Sequence, residues 1–376
     1  MIRHVVVHQF DPTRHVVGGI DGFIRDLVEH SGAQHQFSIL GVEREDAFLG
    51  RWRSVSVGNR PVEFMPLARL EAGNQRRRVP HSLRLAYGLV RYHPDVAEAI
   101  LHTHRAEVGG VVSCLYRDAR RIQFIHGDAR RAFQWRQETI WRFAPRGYDA
   151  VERFAVRRAS KTVVMSRSGL GRLSRYSSRA MLGANWFDGR YFDYRDRDAA
   201  SGAVIGWAGR LEPPKDPLTA VRVFDELRRR GVRFEAWVAG GGTLEAKVRA
   251  AVAHAGLEGA VRIAGILSPD ELARELRRTD VFLLTSLWEG IPRTVIEALA
   301  CGVPVVSTAA GDVDAYVVDE RNGFISHARN AEDLASAVVR AFELEPGFEI
   351  AATVGHLEVR RVVPDLLAQL AEDGLR

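Results

Sequence analysis

The chain is poor in several things, and each shortage excludes a class of protein. It has two cysteines, Cys114 and Cys301, in 376 residues. Two thiols build no disulfide framework, so a reducing compartment is expected, with both cysteines in the core. No apolar run approaches the ~18 residues of a membrane span. The apolar part of Met1-Ile2-Arg3-His4-Val5-Val6-Val7 is too short for a signal peptide and reads as a strand, which makes the expected location cytoplasmic. No repeat of solenoid period occurs. There is no G-x-x-x-x-G-K-[ST] phosphate loop and no G-x-S-x-G nucleophile turn. No nucleic-acid recognition motif accompanies the arginines, so nucleic acid is not an expected partner. Lysine is scarce, with only Lys161, Lys215 and Lys247. Arginine is the default cation, so a lysine inside a motif stands out.

What is present is enough chain for two domains, at 46% hydrophobic and 27% charged residues. Short apolar strands alternate with amphipathic helical patterns, which implies α/β units and parallel sheets. After Val5-Val6-Val7 and a helix near 20–30, strands are predicted near 37–42, 62–65, 99–103, 122–125 and 161–165. Residues 193–203 are polar and patternless and read as a linker. A second series opens at 204–208 and continues at 234–239, 261–264, 281–284 and 303–307. The helix predicted at 216–230 ends in Arg228-Arg229-Arg230-Gly231, with cations at its negative end and glycine as the stop. A last helix is predicted over 362–373.

Charge is divided unevenly. Residues 1–197 carry 33 Lys+Arg against 20 Asp+Glu, a net of +13; the other 179 carry 20 against 27, a net of −7. The basic half suits an anionic partner such as a phospholipid surface or a lipid diphosphate. Two arginine-rich stretches, 76–92 and 117–142, contain aromatics that include Phe133, Trp135 and Trp141. They suit an anionic bilayer and equally suit amphipathic helices packed on their own domain.

The densest signal is Glu289-Gly290-Ile291-Pro292-Arg293-Thr294-Val295-Ile296-Glu297. Two carboxylates stand eight positions apart, one in a loop and one inside a helix. Between them lies a helix start, with Pro292 suited to a first helical position because it needs no N–H donor. Free N–H groups and the positive end of the helix dipole suit a phosphate. One carboxylate can accept hydrogen bonds from a sugar and the other from a ribose. This segment resembles the Glu-x7-Glu motif of retaining glycosyltransferases of family 4 (glycosyl transferases group 1). The resemblance covers roughly residues 2–345.

That family implies an α/β GT-B fold, two Rossmann-like domains facing across a cleft. The acceptor-binding domain is placed at 1–193 with a crossover helix at about 358–376, and the nucleotide-sugar domain at 194–357. Gly209-Arg210-Leu211…Lys215 looks like the family's Gly-Arg-Leu…Lys element. Arg210 and Lys215 supply fixed cations for the charge that develops on a departing nucleoside diphosphate. Gly241, in the glycine turn 240–242, is expected beside the nucleotide, and Ile266 beside the base. The amides from Ile291 to Thr294, in the helix start that Gly290 and Pro292 shape, are expected at the distal phosphate. Glu297 is expected on the ribose and Glu289 on the transferred sugar. Gly18 and Gly19 resemble the first domain's glycine loop. His126, followed by Gly127, matches the family's active-site histidine. Asn185-Trp186-Phe187-Asp188 resembles an Asn-Gly-Val-Asp element, with Trp186 and Phe187 in place of small residues.

The resemblance thus implies metal-independent transfer of a hexose-like sugar from a nucleoside-diphosphate donor, with UDP or GDP expected and no cofactor. His102 with His104, and Asp312 with Asp314, are the pairs that a metal site would use, but the histidines have no further ligands nearby, and Arg210 and Lys215 already supply the cations where the aspartates lie. The acceptor is expected to be a lipid-linked or soluble glycan in cell-envelope or exopolysaccharide assembly, with the protein peripheral on the inner membrane face. A small natural product as acceptor, a sugar-nucleotide epimerase or hydrolase, and a non-catalytic sugar-nucleotide-binding partner are the alternatives.

Overall fold

The structure, a computed structural model, describes residues 1–14, 19–43, 48–69, 81–127, 141, 143–195, 203–290 and 292–372. The chain forms two compact units, one of residues 1–184 with 363–376 and one of residues 185–362. Most of the polar stretch 193–203, and both arginine-rich stretches over 76–80, 128–140 and 142, lie outside the described residues.

In the first unit one sheet runs in the order β3-β4-β2-β1-β5-β6-β7-β8. These are β1 Ile2–Val7, β2 His35–Glu43, β3 Arg53–Val57, β4 Arg60–Arg69, β5 Ile100–Thr103, β6 Arg120–Ile125, β7 Lys161–Val164 and β8 Ala180–Leu182. All pairs are parallel except the β3–β4 hairpin. Helices α1 Gly19–Glu29, α2 His81–Tyr92, α3 Ala106–Leu115, α4 Pro145–Arg158 and α5 Arg167–Leu173 fall between the strands. A parallel sheet covered on both faces needs apolar side chains on both, which explains unbroken runs such as Val5-Val6-Val7. Val5, Val7, Leu40, Leu67, Leu101 and Val108 pack with Leu85 and Leu89 of α2 in one core cluster.

The second unit has a wholly parallel sheet, β11-β10-β9-β12-β13-β14. Its strands are β9 Ala203–Ala208, β10 Phe234–Ala239, β11 Val261–Gly265, β12 Val281–Leu284, β13 Val305–Thr308 and β14 Gly323–Ser326. Its helices are α6 Pro217–Arg229, α7 Glu245–His254, α8 Pro269–Arg277, α9 Arg293–Ala300, α10 Ala331–Ala341 and α11 Phe348–Ala352. Local chemistry starts α8 sharply: Ser268 and Glu271 cap each other's backbone in a capping box. The last helix, α12, spans Val359–Ala371. In the first unit its final carbonyls accept from cations, Lys161 Nζ at Gln369 O (2.6 Å) and Arg120 Nη1 at Ala371 O (2.8 Å), which suits the negative end of a helix. No helix among the described residues is long and apolar enough to cross a membrane.

Two expectations change, those for Cys114 and Pro292. Cys301 is buried, but Cys114 is exposed at the end of α3. Trp186 and Phe187 bury in the second unit, where Phe187 bridges to Glu358, so their size fills a core. Pro292 has φ −75° and ψ 98°, an extended conformation, so α9 begins one residue later and Pro292 is its N-cap.

Candidate functional site

In an open parallel sheet, ligands bind beyond the carboxyl ends of the strands where strand order reverses. In the second unit that point lies between β9 and β12, since β9 continues to β10 on one side and to β12 on the other. The loops leaving these two strands are knitted together. Trp207 Nε1 on β9 donates to Thr285 Oγ1 (2.9 Å). Thr285 Oγ1 in turn donates to the carbonyls of Lys215 (3.1 Å) and Asp216 (2.8 Å), and Leu287 N donates to Pro214 O (2.9 Å). These bonds place Lys215 against Glu289.

Glu289 is only 8% exposed, and a buried carboxylate needs partners. Lys215 Nζ and Ser286 Oγ (2.5 Å) both bond its Oε1. Ser286 is held from below, its carbonyl accepting from Thr308 Oγ1 on β13 (2.6 Å). Eight residues on, Glu297 is 5% exposed on the fifth position of α9, and Arg293 Nε reaches forward one turn to its Oε1 (2.8 Å). Gly290 and Pro292 are buried between the two glutamates, and Arg293 and Thr294 occupy the first positions of α9. The structure therefore brings Lys215, Glu289, Gly290, Pro292, Arg293, Thr294 and Glu297 into one neighbourhood. Ile291 lies outside the described residues.

The turn after β10 joins the same edge. Gly240 has φ +132°, and a Cβ there would lie 1.8 Å from the Gly209 carbonyl oxygen, so only glycine fits. Leu211 N donates to Gly241 O (3.0 Å) and Leu244 N to Leu211 O (2.9 Å). Glu212 bridges the two loops by accepting from Thr243 N (3.0 Å) and Thr243 Oγ1 (2.7 Å). Ile266 follows β11, 66% exposed, with its side chain beside Gly241. Gly311, after β13, has φ +64° and would drive a Cβ to 2.1 Å from Glu289 O. Arg210 is exposed and forms no ion pair with a described residue. Its side chain is thus presented at the loop but not yet fixed, unlike that of Lys215.

Sequence reasoning passed over Thr285 and Ser286, and gave no role to Glu212 or Gly311 themselves. The first two directly follow the buried strand Val281–Leu284, and a Thr-Ser pair at a strand's carboxyl end was the available signal.

The first unit has its own reversal point, between β1 and β5. His126 follows β6 at this edge, half-buried, with Nε2 at 2.8 Å from Nδ1 of His104, which follows β5. His8, after β1, lies with Nε2 at 3.6 Å from Asp21 of α1. Gly19 starts α1 and is exposed, with open space where a Cβ would stand; Gly18 lies outside the described residues. Burial, reinforced by the charge of Arg105, lowers the pKa of His126 to about 3, and burial likewise pushes His8 and His104 well below the usual imidazole value. Burial raises Asp21 to about 6. His102 does not join a metal-binding pair with His104. It hydrogen-bonds His4 Nδ1 (2.9 Å), whose Nε2 meets His35 Nδ1 (2.8 Å). No group of three or more His, Cys, Asp or Glu among the described residues is arranged to hold a metal.

Residues 198–352 match the family model described as glycosyl transferases group 1. The amylovoran biosynthesis glycosyltransferase AmsK of Erwinia amylovora is 33% identical over 156 residues, 40% of this chain and 38% of that protein, so the chain aligns with little more than a third of that relative's length. Sucrose-phosphate synthase from Thermosynechococcus elongatus superposes with a TM-score of 0.82 at 18% identity, over 99% of this chain and 98% of that one. Anabaena HepE in complex with UDP-glucose superposes with a TM-score of 0.71 at 16% identity, over 99% of each chain. Two parallel sheets of Rossmann type, the GT-B architecture, are common to these folds. Residues 198–352 thus carry a similarity to glycosyl transferases group 1, and the chain as a whole shares its fold with these solved structures.

Proposed function

We propose that this chain is a retaining glycosyltransferase that moves a hexose-like sugar from a nucleoside-diphosphate donor to a hydroxyl acceptor without a required metal. The observation that carries this reading is the pair of buried carboxylates, Glu289 held by Lys215 and Ser286, and Glu297 held by Arg293, on either side of a helix start at the sheet's reversal point. Glu297 accepts from the ribose hydroxyls and Glu289 from hydroxyls of the sugar. The first amides of α9 meet the distal phosphate. Gly209, Gly241 and Ile266 form the nucleotide's bed. Lys215, with Arg210 swinging in from solvent, stabilises charge on the leaving diphosphate. His126 is the first unit's hydrogen-bonding group for the substrates. The acceptor oxygen forms its bond to the anomeric carbon as the carbon–phosphate oxygen bond breaks, and the acceptor's proton passes to that phosphate oxygen.

The UDP-glucose bound to HepE supports UDP as the nucleotide, and the amylovoran role of AmsK supports an exopolysaccharide or cell-envelope acceptor. The basic first unit supports a position at an anionic membrane face: Tyr87 and Val90 are exposed on α2, beside Arg84 and Arg91. The test is to incubate the protein with UDP-glucose and EDTA and follow the sugar by NMR. Release of α-glucose ahead of its mutarotation, or transfer to an added glycan with the α configuration, is expected. First-formed β product, or turnover only after a divalent metal is restored, would overturn the reading.

A further inference from the structure

Two neutral imidazoles that share one hydrogen bond must divide donor and acceptor between them, and here the surroundings decide which is which. His104 is 3% exposed. Its ring stacks on Phe124 (centroids 4.7 Å apart, 7° between planes) and meets the edges of Phe23 and His8. Its ring plane is thereby fixed. Its Nδ1 faces His126 Nε2 at 2.8 Å, and its Nε2 is buried with no hydrogen-bond partner. Phe23 also packs edge-on against His126 (centroids 5.0 Å, 81°), which fixes the second ring. His126 is half-buried, and its Nδ1 has no hydrogen-bond partner among the described residues.

With one proton per ring there are two arrangements. If His126 donates, the proton of His104 sits on Nε2 and becomes a buried donor without an acceptor. If His104 donates from Nδ1, its Nε2 is left with a lone pair only. Orphaned N–H groups are the rarer and costlier of the two in protein interiors.

We propose that His104 is a positioning residue that donates from Nδ1 to His126 Nε2 and thereby holds His126 in its Nδ1–H tautomer, with that N–H offered to a substrate oxygen. His126 then serves as a hydrogen-bond donor at Nδ1 and as neither an acceptor nor a base at that atom. An imidazole without such a partner favours the Nε2–H form in water, so His104 sets a minority tautomer. The consequence for catalysis rests on the glycosyltransferase reading; the tautomer itself does not.

The experiment is a long-range 1H–15N correlation spectrum of the whole chain with 15N-labelled histidine, at neutral pH, for wild type, His104→Leu and His104→Asn. The Asn amide nitrogen sits close to where Nδ1 of the imidazole does and retains the donor. In wild type, His126 is expected as Nδ1–H. In His104→Leu it shifts toward Nε2–H, and donor turnover falls roughly tenfold while UDP-glucose still binds, the loss of about one oriented hydrogen bond. His104→Asn restores both the tautomer and most of the rate. Nε2–H in wild type, or Nδ1–H retained in His104→Leu, overturns the proposal. If His104→Leu does not fold, the wild-type spectrum decides alone. A wild-type chain that reads Nδ1–H but neither binds nor turns over UDP-glucose would instead sink the functional reading and leave the tautomer assignment standing.

Discussion

Acid should loosen the first unit well before it protonates ordinary carboxylates. The cause is a set of imidazoles that the fold holds neutral. Burial lowers His4 and His126 from 6.5 to about 3, and lowers His8, His102 and His104 in the same direction. A group whose folded pKa is depressed is deprotonated in the native state while the unfolded chain takes up its proton. Stability is therefore full above about pH 6.5 and is lost as pH falls toward the folded pKa. At pH 5 the loss is ~2 kcal/mol for each of His4 and His126, at ~1.4 kcal/mol per pH unit per group. Asp21 acts the other way. Its pKa is raised from 3.8 to about 6, so the native state gains a proton first and recovers about 1 kcal/mol on going from pH 7 to pH 5. The net is a loss of about 2–3 kcal/mol from these three groups, to which His8, His102 and His104 add in the same direction. Hydrogen exchange of the β1 and β5 amides in the first unit, measured at pH 7 and pH 5 and corrected for intrinsic rates, reads this directly. Protection there should fall by roughly two orders of magnitude or more. Unchanged or increased protection at pH 5 would refute the buried-neutral assignment.

Three further outcomes follow from the second unit. Lys215→Ala should lower kcat by about 10²–10³ because it removes a fixed cation from the leaving group and leaves Glu289 with Ser286 alone; a rate within a factor of three of wild type in a donor-turnover assay would remove Lys215 from the reaction. Ser286→Ala should weaken the hold on Glu289 and cost roughly five- to tenfold in kcat/KM for the donor, with little change in Tm. Gly240→Ala forces a Cβ onto the Gly209 carbonyl at a positive φ and should destabilise the second unit by about 2–4 kcal/mol in urea unfolding. A neutral result there would mean that the loop after β10 relaxes freely.

The sequence made the loops of the candidate site legible because they carry unusual residue types: a scarce lysine at 215, paired glutamates at 289 and 297, and glycines where backbone crowds backbone. The long apolar strands were legible for the same reason, since burial on both faces leaves unbroken Val and Leu runs. Other elements left weaker traces. The hairpin strand Arg53–Val57 alternates Ser and Val around a Gly58-Asn59 turn, and β14, Gly323–Ser326, is short and mixed in character. The start of α9 was read one residue early because proline's fixed φ suits a helix, while its ψ of 98° does not. Thr285 and Ser286 are ordinary residues whose importance comes from partners 70 and 3 positions away. The histidine pairs were hidden most fully. His104 and His126 are 22 residues apart and His4 and His102 are 98 apart, and only the order of strands in the sheet brings them together.

The most direct test of the central claim is calorimetric titration of the purified chain with UDP, GDP and ADP in the presence of EDTA, alongside Glu297→Ala. Micromolar binding of one nucleotide, UDP on the present account, with at least tenfold weakening in Glu297→Ala, is the expected result. Absence of binding, binding only after a divalent metal is restored, or equal affinity in Glu297→Ala would contradict a metal-free nucleotide site at the start of α9.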